Sequence, residues 1–277
     1  MKIGKSPKIS LVISDVDGTL INGNKELTPR TIAAVKQLQQ ANIPFTVTSA
    51  RPPYGLNMII DTLQLQHPIG AFNGGAILTP NLDIIDRTTL PPDIIPEVIA
   101  AIESYHLDIW LLSDRHWYVK DLNGYHVAHH SDTLQFEPTL IASNEDIKDE
   151  IIKIVGVSSD YDAVAKGEKA LQKQFSDRLS ASRSQAYYLD ITHPNANKGT
   201  VVDRLAEYFK IPVTEIITIG DNCNDVYMFA RSGISVAMGN AIPEVQQKAT
   251  YVTASNEEEG FAKAIEQYVL NNLSYSY

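Results

Sequence analysis

Two carboxylates one residue apart close an apolar run, where Ile9-Ser10-Leu11-Val12-Ile13-Ser14 leads into Asp15-Val16-Asp17-Gly18-Thr19-Leu20. Acids this close repel each other unless a shared proton or a cation relieves them, and a divalent metal is the simplest relief. An ordinary acidic turn would use the same residue types, because Asp and Gly are both turn formers. An EF-hand loop fails on spacing, since glycine already stands fourth, at Gly18, where that loop needs it sixth. A second acidic group, Gly220-Asp221-Asn222-Cys223-Asn224-Asp225, follows another apolar run, Ile216-Ile217-Thr218-Ile219. Between the two, Asn197-Lys198-Gly199-Thr200 opens a helical pattern and puts a lysine at a helix N-terminus. The helix dipole favours anions there, so the cation makes most sense if it and the dipole address a shared anion; a solvated lysine is the plain alternative.

These side chains need a scaffold that brings strand ends together. Six residues rich in Ile, Val and Leu suit a central parallel strand covered on both faces, and ligands of open α/β sheets gather beyond the carboxyl ends of such strands. Thr28-Pro29 reads as an N-cap followed by proline at the first helical position, predicting a helix to about Ala41 with Ile32, Val35 and Leu38 inward. A second strand, Phe45 to Ser49, completes a βαβ unit. Leu56, Ile59, Ile60 and Leu63 keep helical spacing, and Ile69 to Phe72 reads as a third short strand running into Asn73-Gly74-Gly75. From about Leu82 to His193 the pattern changes. A helix around Ile95 to Ile102, a hairpin of Asp108–Leu112 with His116–Lys120, a strand Ile151–Val157, a helix through Val164, Leu171 and Phe175, and a closing hairpin give antiparallel strands with helices on one face. The first pattern resumes with the Lys198 helix and the Ile216 strand.

In this order the motifs resemble those of the haloacid dehalogenase superfamily of aspartate-nucleophile phosphatases, and the layout is similar to its Cof-type branch. The resemblance covers essentially the whole chain. It implies an α/β fold: a Rossmann-like parallel-sheet core from residues 1–81 and 194–277, with an inserted α+β cap, 82–193, that selects substrate. It implies a Mg2+-dependent phosphatase acting on small phosphomonoesters, sugar phosphates first, through an aspartyl phosphate. Asp15 would be the nucleophile and Asp17 the acid and base; Asp15, Asp17 and Asp221 would hold the metal, Asp17 through its carbonyl. Ser49 and Lys198 would bind the phosphoryl group, and Asn224 and Asp225 would support them as a second layer. Ser49 has a helix N-cap as its alternative, and Arg51 is a partner for substrate phosphate or for an exposed acid. Asn73 is a further candidate at the mouth of the site. Two positions depart from the branch pattern: Ala50 and Asn222 stand where it commonly has glycine. A phosphomutase or phosphotransferase would use the same aspartyl phosphate, and a retired binding module would lack a catalytic group that this chain retains.

With 277 residues, 44% hydrophobic, the chain is long enough for two modest cores. A net charge of −10 with no basic block argues against nucleic-acid or acidic-membrane partners. A small phosphorylated metabolite remains the expected partner, and the oligomeric state is not legible. Lys2, Lys5 and Lys8 precede too short an apolar run for an export signal, and no stretch reaches the roughly 20 residues that span a bilayer. The single Cys223, read as a small core residue, fits a reducing cytoplasm. Asn272-Leu273-Ser274 reads as a chance glycosylation sequon. In the inserted segment, His126, His129 and His130 read as polar helical surface, with metal binding the minor alternative. Arg115, His116, Trp117 and Arg183 are possible substrate selectors.

Overall fold

Four residues of the opening apolar run, Leu11–Ser14, form strand β1 with every side chain buried. The computed structural model describes residues 8–271, so Lys2, Lys5 and the Asn272 sequon lie outside the described residues. After β1 come α1 (Pro29–Gln40), β2 (Phe45–Val47), α2 (Asn57–Leu63), β3 (Ile69–Ala71), β4 (Ala76–Leu78) and β5 (Ile84–Arg87). There follow α3 (Ile95–Glu103), β6 (Asp108–Leu112), β7 (Trp117–Val119), α4 (Val127–Leu134), β8 (Thr139–Leu140) and β9 (Lys153–Val157). Next are α5 (Tyr161–Phe175), β10 (Ser180–Gln185), β11 (Tyr188–Thr192), α6 (Lys198–Phe209), β12 (Ile216–Gly220) and α7 (Val226–Phe229). The last are β13 (Ile234–Ala237), α8 (Pro243–Gln246), β14 (Tyr251–Val252) and α9 (Gly260–Ile265).

The first sheet has the order β14-β13-β12-β1-β2, all parallel, with β1 between β12 and β2. Ser14 is in register with Val47 on one side and Ile219 on the other. Asp15, Ser49 and Asp221 therefore leave the sheet at one carboxyl edge. Thr28 caps α1 by accepting the Thr31 N–H, and Thr31, Ala34, Val35 and Leu38 are its buried face, with Ile32 only half-buried. The Ile69 segment is a short strand, as its residues imply, but it belongs to a separate sheet. It touches the parallel sheet at a single bridge, Thr48 to Gly70, and pairs antiparallel with β4, which pairs antiparallel with β5. Three consecutive residues in the positive-φ region explain the reversal: Phe72 at φ +53°, Asn73 at φ +56° and Gly74 at φ +96° turn the chain back between β3 and β4.

The second sheet has the order β10-β11-β9-β6-β7-β8, antiparallel except for the short β7–β8 pair. Its helices α3 and α5 share a buried cluster with Leu111, Ile154, Leu189 and Ile191 on one face. Gly167 and Leu171 of α5 are buried as helical spacing requires, while Glu168 reaches outward to pair with Arg183 at 2.9 Å. The opposite face joins the cluster that contains Val16, Tyr54 and Leu56. Among the described residues no helix is long and apolar enough to cross a membrane.

Candidate active site

At the carboxyl edge of the parallel sheet, Lys198 is 1% exposed and Asp225 fully buried, so the solvated-lysine alternative fails. Its Nζ donates to Asp15 Oδ1 at 2.5 Å and to Asp225 Oδ1 at 2.6 Å. Burial disfavours the ammonium, but the two carboxylates outweigh it and raise its pKa. The Asn197 side chain accepts the Gly199 and Thr200 N–H groups, which fixes the start of α6 and aims Lys198 inward. Asp225 accepts Asp221 N–H and Asn222 N–H on its second oxygen, at 2.8 and 2.9 Å. Both its oxygens are thus occupied by protein donors, and Asp225 serves to position Lys198.

Asp15, Asp221 and Asp225 bring carboxylate oxygens within 4.8 Å of one another. Burial pushes Asp15 well up, with Asp225 and Asp221 adding to it against Lys198. Burial and Asp225 likewise raise Asp221. Three carboxylates against one ammonium leave two negative charges, which a divalent cation matches. With Asp225 committed elsewhere, Asp15 and Asp221 are the pair that fits such an ion. The backbone is shaped to this pair: Gly18 has φ +83°, and a Cβ there would fall 2.4 Å from Asp221 Oδ2.

Asp17 points away from this group. Arg51 Nε and Nη2 donate to its two oxygens at 2.7 and 2.8 Å, and Lys25 Nζ lies 2.9 Å away. Burial tends to raise its pKa, yet the Arg51 and Lys25 contacts dominate and bring it down to about 2. Of the two partners expected for Arg51, the structure pairs it with the acid. Ser49 is 1% exposed and does not cap a helix; its Oγ accepts Arg51 N–H at 3.1 Å, which leaves the hydroxyl hydrogen free to donate. Asn73 N–H donates to Ser49 O at 2.8 Å, and Asn73 Oδ1 accepts from Asn224 Nδ2 at 2.9 Å. These two candidates therefore brace each other. Neither glycine substitution disturbs the loops: Ala50 lies outside the left-handed region, and Asn222, at φ −121°, caps the following turn.

Sequence reasoning passed over three contributors. Thr19 Oγ1 donates to Asp221 Oδ1 at 2.9 Å, and Asn240 Nδ2 donates to Gly18 O at 2.9 Å. Asn240 follows β13 as Asp221 follows β12, so the strand-end rule itself would have found it. Lys25 gave no such signal, because it sits in turn material. Cys223 is exposed and not a core residue. The three histidines do not form a metal group: among the described residues the only such group is the Asp15 cluster. His126 stacks on Tyr187 at 4.3 Å, and His130 packs 4.9 Å from both Trp110 and Trp117, so it is part of an aromatic cluster and not polar surface. Of the possible selectors, Trp117 is buried, Arg115 is solvated, and His116 and Arg183 are tied to Asp149 and Glu168.

The sequence profile of haloacid dehalogenase-like hydrolases matches residues 12–265. The chain belongs to this family. A provisionally named phosphatase of Haemophilus influenzae is 32% identical over 257 residues, spanning 92% of this chain and 97% of that one. A Bacillus subtilis relative, 5-amino-6-(5-phospho-D-ribitylamino)uracil phosphatase YitU, is 26% identical over 268 residues, 93% of this chain and 97% of its own. A haloacid dehalogenase-like hydrolase from Bacteroides thetaiotaomicron superposes with a TM-score of 0.85 at 27% identity, over 94% of this chain and 99% of that chain. A subclass IIB sugar phosphatase has the same fold, with a TM-score of 0.81 at 21% identity over 94% and 98% of the two chains.

Proposed function

We propose that this hydrolase, by family a phosphatase, cleaves small phosphomonoesters with Asp15 as nucleophile and Mg2+ as cofactor. The observation that carries the reading is the buried Asp15, Lys198 and Asp225 chain beside Asp221. Its residual charge of about −2 would repel a phosphate, so attack requires a cation to be held there. Asp15 and Asp221 are the residues that would hold it, with the Asp17 carbonyl as a further donor. When bound, Mg2+ would offset the repulsion between carboxylate and phosphate and polarise the phosphoryl group as a Lewis acid.

The chain's own groups account for the rest. Lys198 keeps Asp15 oriented with one oxygen engaged, its positive charge stabilises the phosphoryl oxygens, and the Ser49 hydroxyl donates a hydrogen bond to them. Asp15 forms the new P–O bond while the ester P–O bond breaks, and the leaving oxygen takes a proton from Asp17. Asp17 then removes a proton from water, which attacks phosphorus, releases phosphate and restores Asp15. Held by Arg51 and Lys25, Asp17 is ionised and ready as the base. To act first as the acid it must loosen from Arg51, so substrate arrival has to compete for that guanidinium.

In this reading residues 1–81 and 194–277 are the catalytic core and 82–193 the cap. Contacts such as the Tyr54–Phe136 stack, 3.7 Å between ring centroids, support a cap that lies over the Arg51 loop and admits small substrates. Sugar and polyol phosphates are the favoured class, in keeping with the phosphoribityl group in the name of the Bacillus relative. The test is phosphate release from a panel of small phosphomonoesters and a folded phosphoprotein, with Mg2+ and after chelation. Metal-dependent turnover of the small esters alone is expected; turnover of the phosphoprotein contradicts a restrictive cap, and metal-independent turnover contradicts the site assignment.

A further inference from the structure

The two faces of the antiparallel sheet differ in a way that the chemistry at Asp15 does not explain. Leu111, Ile154, Leu189 and Ile191 face α3 and α5. Directly opposed residues of antiparallel strands share a face. Leu112 is opposite Lys153, Lys153 is opposite Thr192, and Val155 is opposite Asp190, so these residues form the other face together with Trp110 and Trp117. That face belongs to the cluster containing Tyr54 and Leu56, the segment that follows Arg51.

Within this largely apolar surface sit two charges. Lys153 Nζ donates to Asp190 Oδ2 at 2.6 Å, and the residues are 8% and 6% exposed. Fold stability does not call for such a pair, since well-packed apolar residues of similar volume are commonly as stabilising. Asp190 is also only half satisfied. Its Oδ1 is buried without a partner, and so are Nε1 of Trp117 and the hydroxyl of Tyr188. Buried polar atoms are ordinarily paired, and three unpaired ones on one sheet face mark a place built for a ligand's hydroxyls. The rings are contiguous: Trp110 lies 4.9 Å from Trp117 and 5.3 Å from Tyr188.

The surface also reaches the catalytic loop. His130, wedged against Trp110 and Trp117, is held neutral by burial first, then by the charges of Lys153, His129, His126 and Arg51. The helix that carries it, α4, packs on the Arg51 loop: a Cβ at Gly55 would fall 2.7 Å from Leu134 Cδ2 and 3.5 Å from Arg51 Cβ, and Arg51 in turn holds Asp17. A leaving group whose oxygen sits at Asp17 would extend past Arg51 and His130 toward Lys153 and Asp190.

We propose that Lys153 and Asp190 are specificity-determining residues that bind adjacent hydroxyls of the substrate's leaving group, a neutral sugar or polyol. This rests on the phosphatase reading above. Lys153 donates to one hydroxyl oxygen and Asp190 Oδ1 accepts from its neighbour, while the unpaired Trp117 Nε1–H and Tyr188 hydroxyl offer further hydrogen bonds. The charges of the pair cancel, and His130 adds none. An anionic leaving group would meet Asp190 without a matching cation, and a cationic one would meet Lys153.

The test compares kcat/KM for hexitol and pentitol phosphates with that for p-nitrophenyl phosphate, which lacks the hydroxyls. The proteins are wild type, Asp190→Asn, and a double variant, Lys153→Met with Asp190→Leu, that removes both charges together and keeps the face packed. The variants are expected to lose about ten- to a hundredfold in kcat/KM on the polyol phosphates, as charged hydrogen bonds warrant, and to stay within about twofold on p-nitrophenyl phosphate. Equal losses on both substrates, or none on either, overturn the assignment. If folded wild type releases phosphate from no ester, the phosphatase reading fails first, and the subsite falls with it.

Discussion

Arg51 grips Asp17 through two parallel hydrogen bonds, Nε to Oδ2 at 2.7 Å and Nη2 to Oδ1 at 2.8 Å, while its third nitrogen is tied to Gly55 O at 2.9 Å. The guanidinium is anchored to backbone, so the orientation of the carboxylate is set by the Arg51–Gly55 loop. Replacing Arg51 with Met removes both the orientation and the main cause of the depressed pKa. The lost orientation outweighs the easier protonation of Asp17, so we expect kcat at neutral pH to fall by about ten- to a hundredfold, with Arg51→Lys recovering only part because a point charge cannot supply the fork. Steady-state kinetics of the three proteins on one small ester decide it. Unchanged kcat in Arg51→Met would remove Arg51 from the account.

Among the described residues Lys198 is the one cation between two buried acids, Asp15 and Asp225. Lys198→Met keeps the length of the side chain but leaves Asp15 and Asp225 facing each other without compensation. Breaking a buried pair in this way costs about 3–5 kcal/mol. Urea unfolding at neutral pH without metal should show that loss, and a loss below about 1 kcal/mol would mean that Lys198 is not the ammonium on which Asp15 and Asp225 depend.

Gly18 carries a separate prediction. A methyl group at this position meets Asp221 Oδ2 and needs φ +83°, a region that L residues rarely adopt. Gly18→Ala should lower stability by about 1 kcal/mol or more and weaken Mg2+ binding by at least about tenfold. Thermal midpoints across a Mg2+ titration report both effects. A wild-type response to Mg2+ in this variant would show that Asp221 is not constrained as described.

His130 predicts a pH dependence of stability that does not originate in the titration of the acids. Burial, aided by Lys153, His129, His126 and Arg51, lowers its pKa from 6.5 to about 3. The unfolded chain therefore binds a proton that the folded chain refuses, and stability is lost as pH falls from about 6.5 toward 3. At pH 5 the loss is about 2 kcal/mol relative to pH 7.5. His130→Phe should lack this share, so the gap between the two proteins in urea unfolding changes between those pH values. Parallel pH profiles would contradict the buried neutral imidazole.

The parallel sheet was legible because two of its strands, β1 and β12, are largely aliphatic runs that end in acids, at Ser14-Asp15 and Gly220-Asp221. The Lys198 position was legible for a similar reason, a cation where a helix start favours an anion. The Ile69 strand was legible as a strand but its sheet was not, because so short an apolar run says nothing of direction, and the reversal depends on the left-handed conformations of Phe72, Asn73 and Gly74. Arg51 was left between two partners because sequence spacing cannot show which way a long side chain turns. The Lys153–Asp190 pair did leave a trace, a charge inside Ile151-Ile152-Lys153-Ile154-Val155 and another inside Tyr188-Leu189-Asp190-Ile191. Such interruptions become meaningful only when the register brings them together across 37 residues.

The central claim is that Asp15 takes the phosphoryl group. The most direct measurement is an acid quench of the enzyme during turnover of a small phosphomonoester with Mg2+, followed by peptide mass spectrometry. The account predicts a hydroxylamine-sensitive phosphoryl adduct on the peptide containing Asp15, absent from Asp15→Asn and from chelated enzyme. Sustained turnover by Asp15→Asn, or an adduct on another residue, would contradict it.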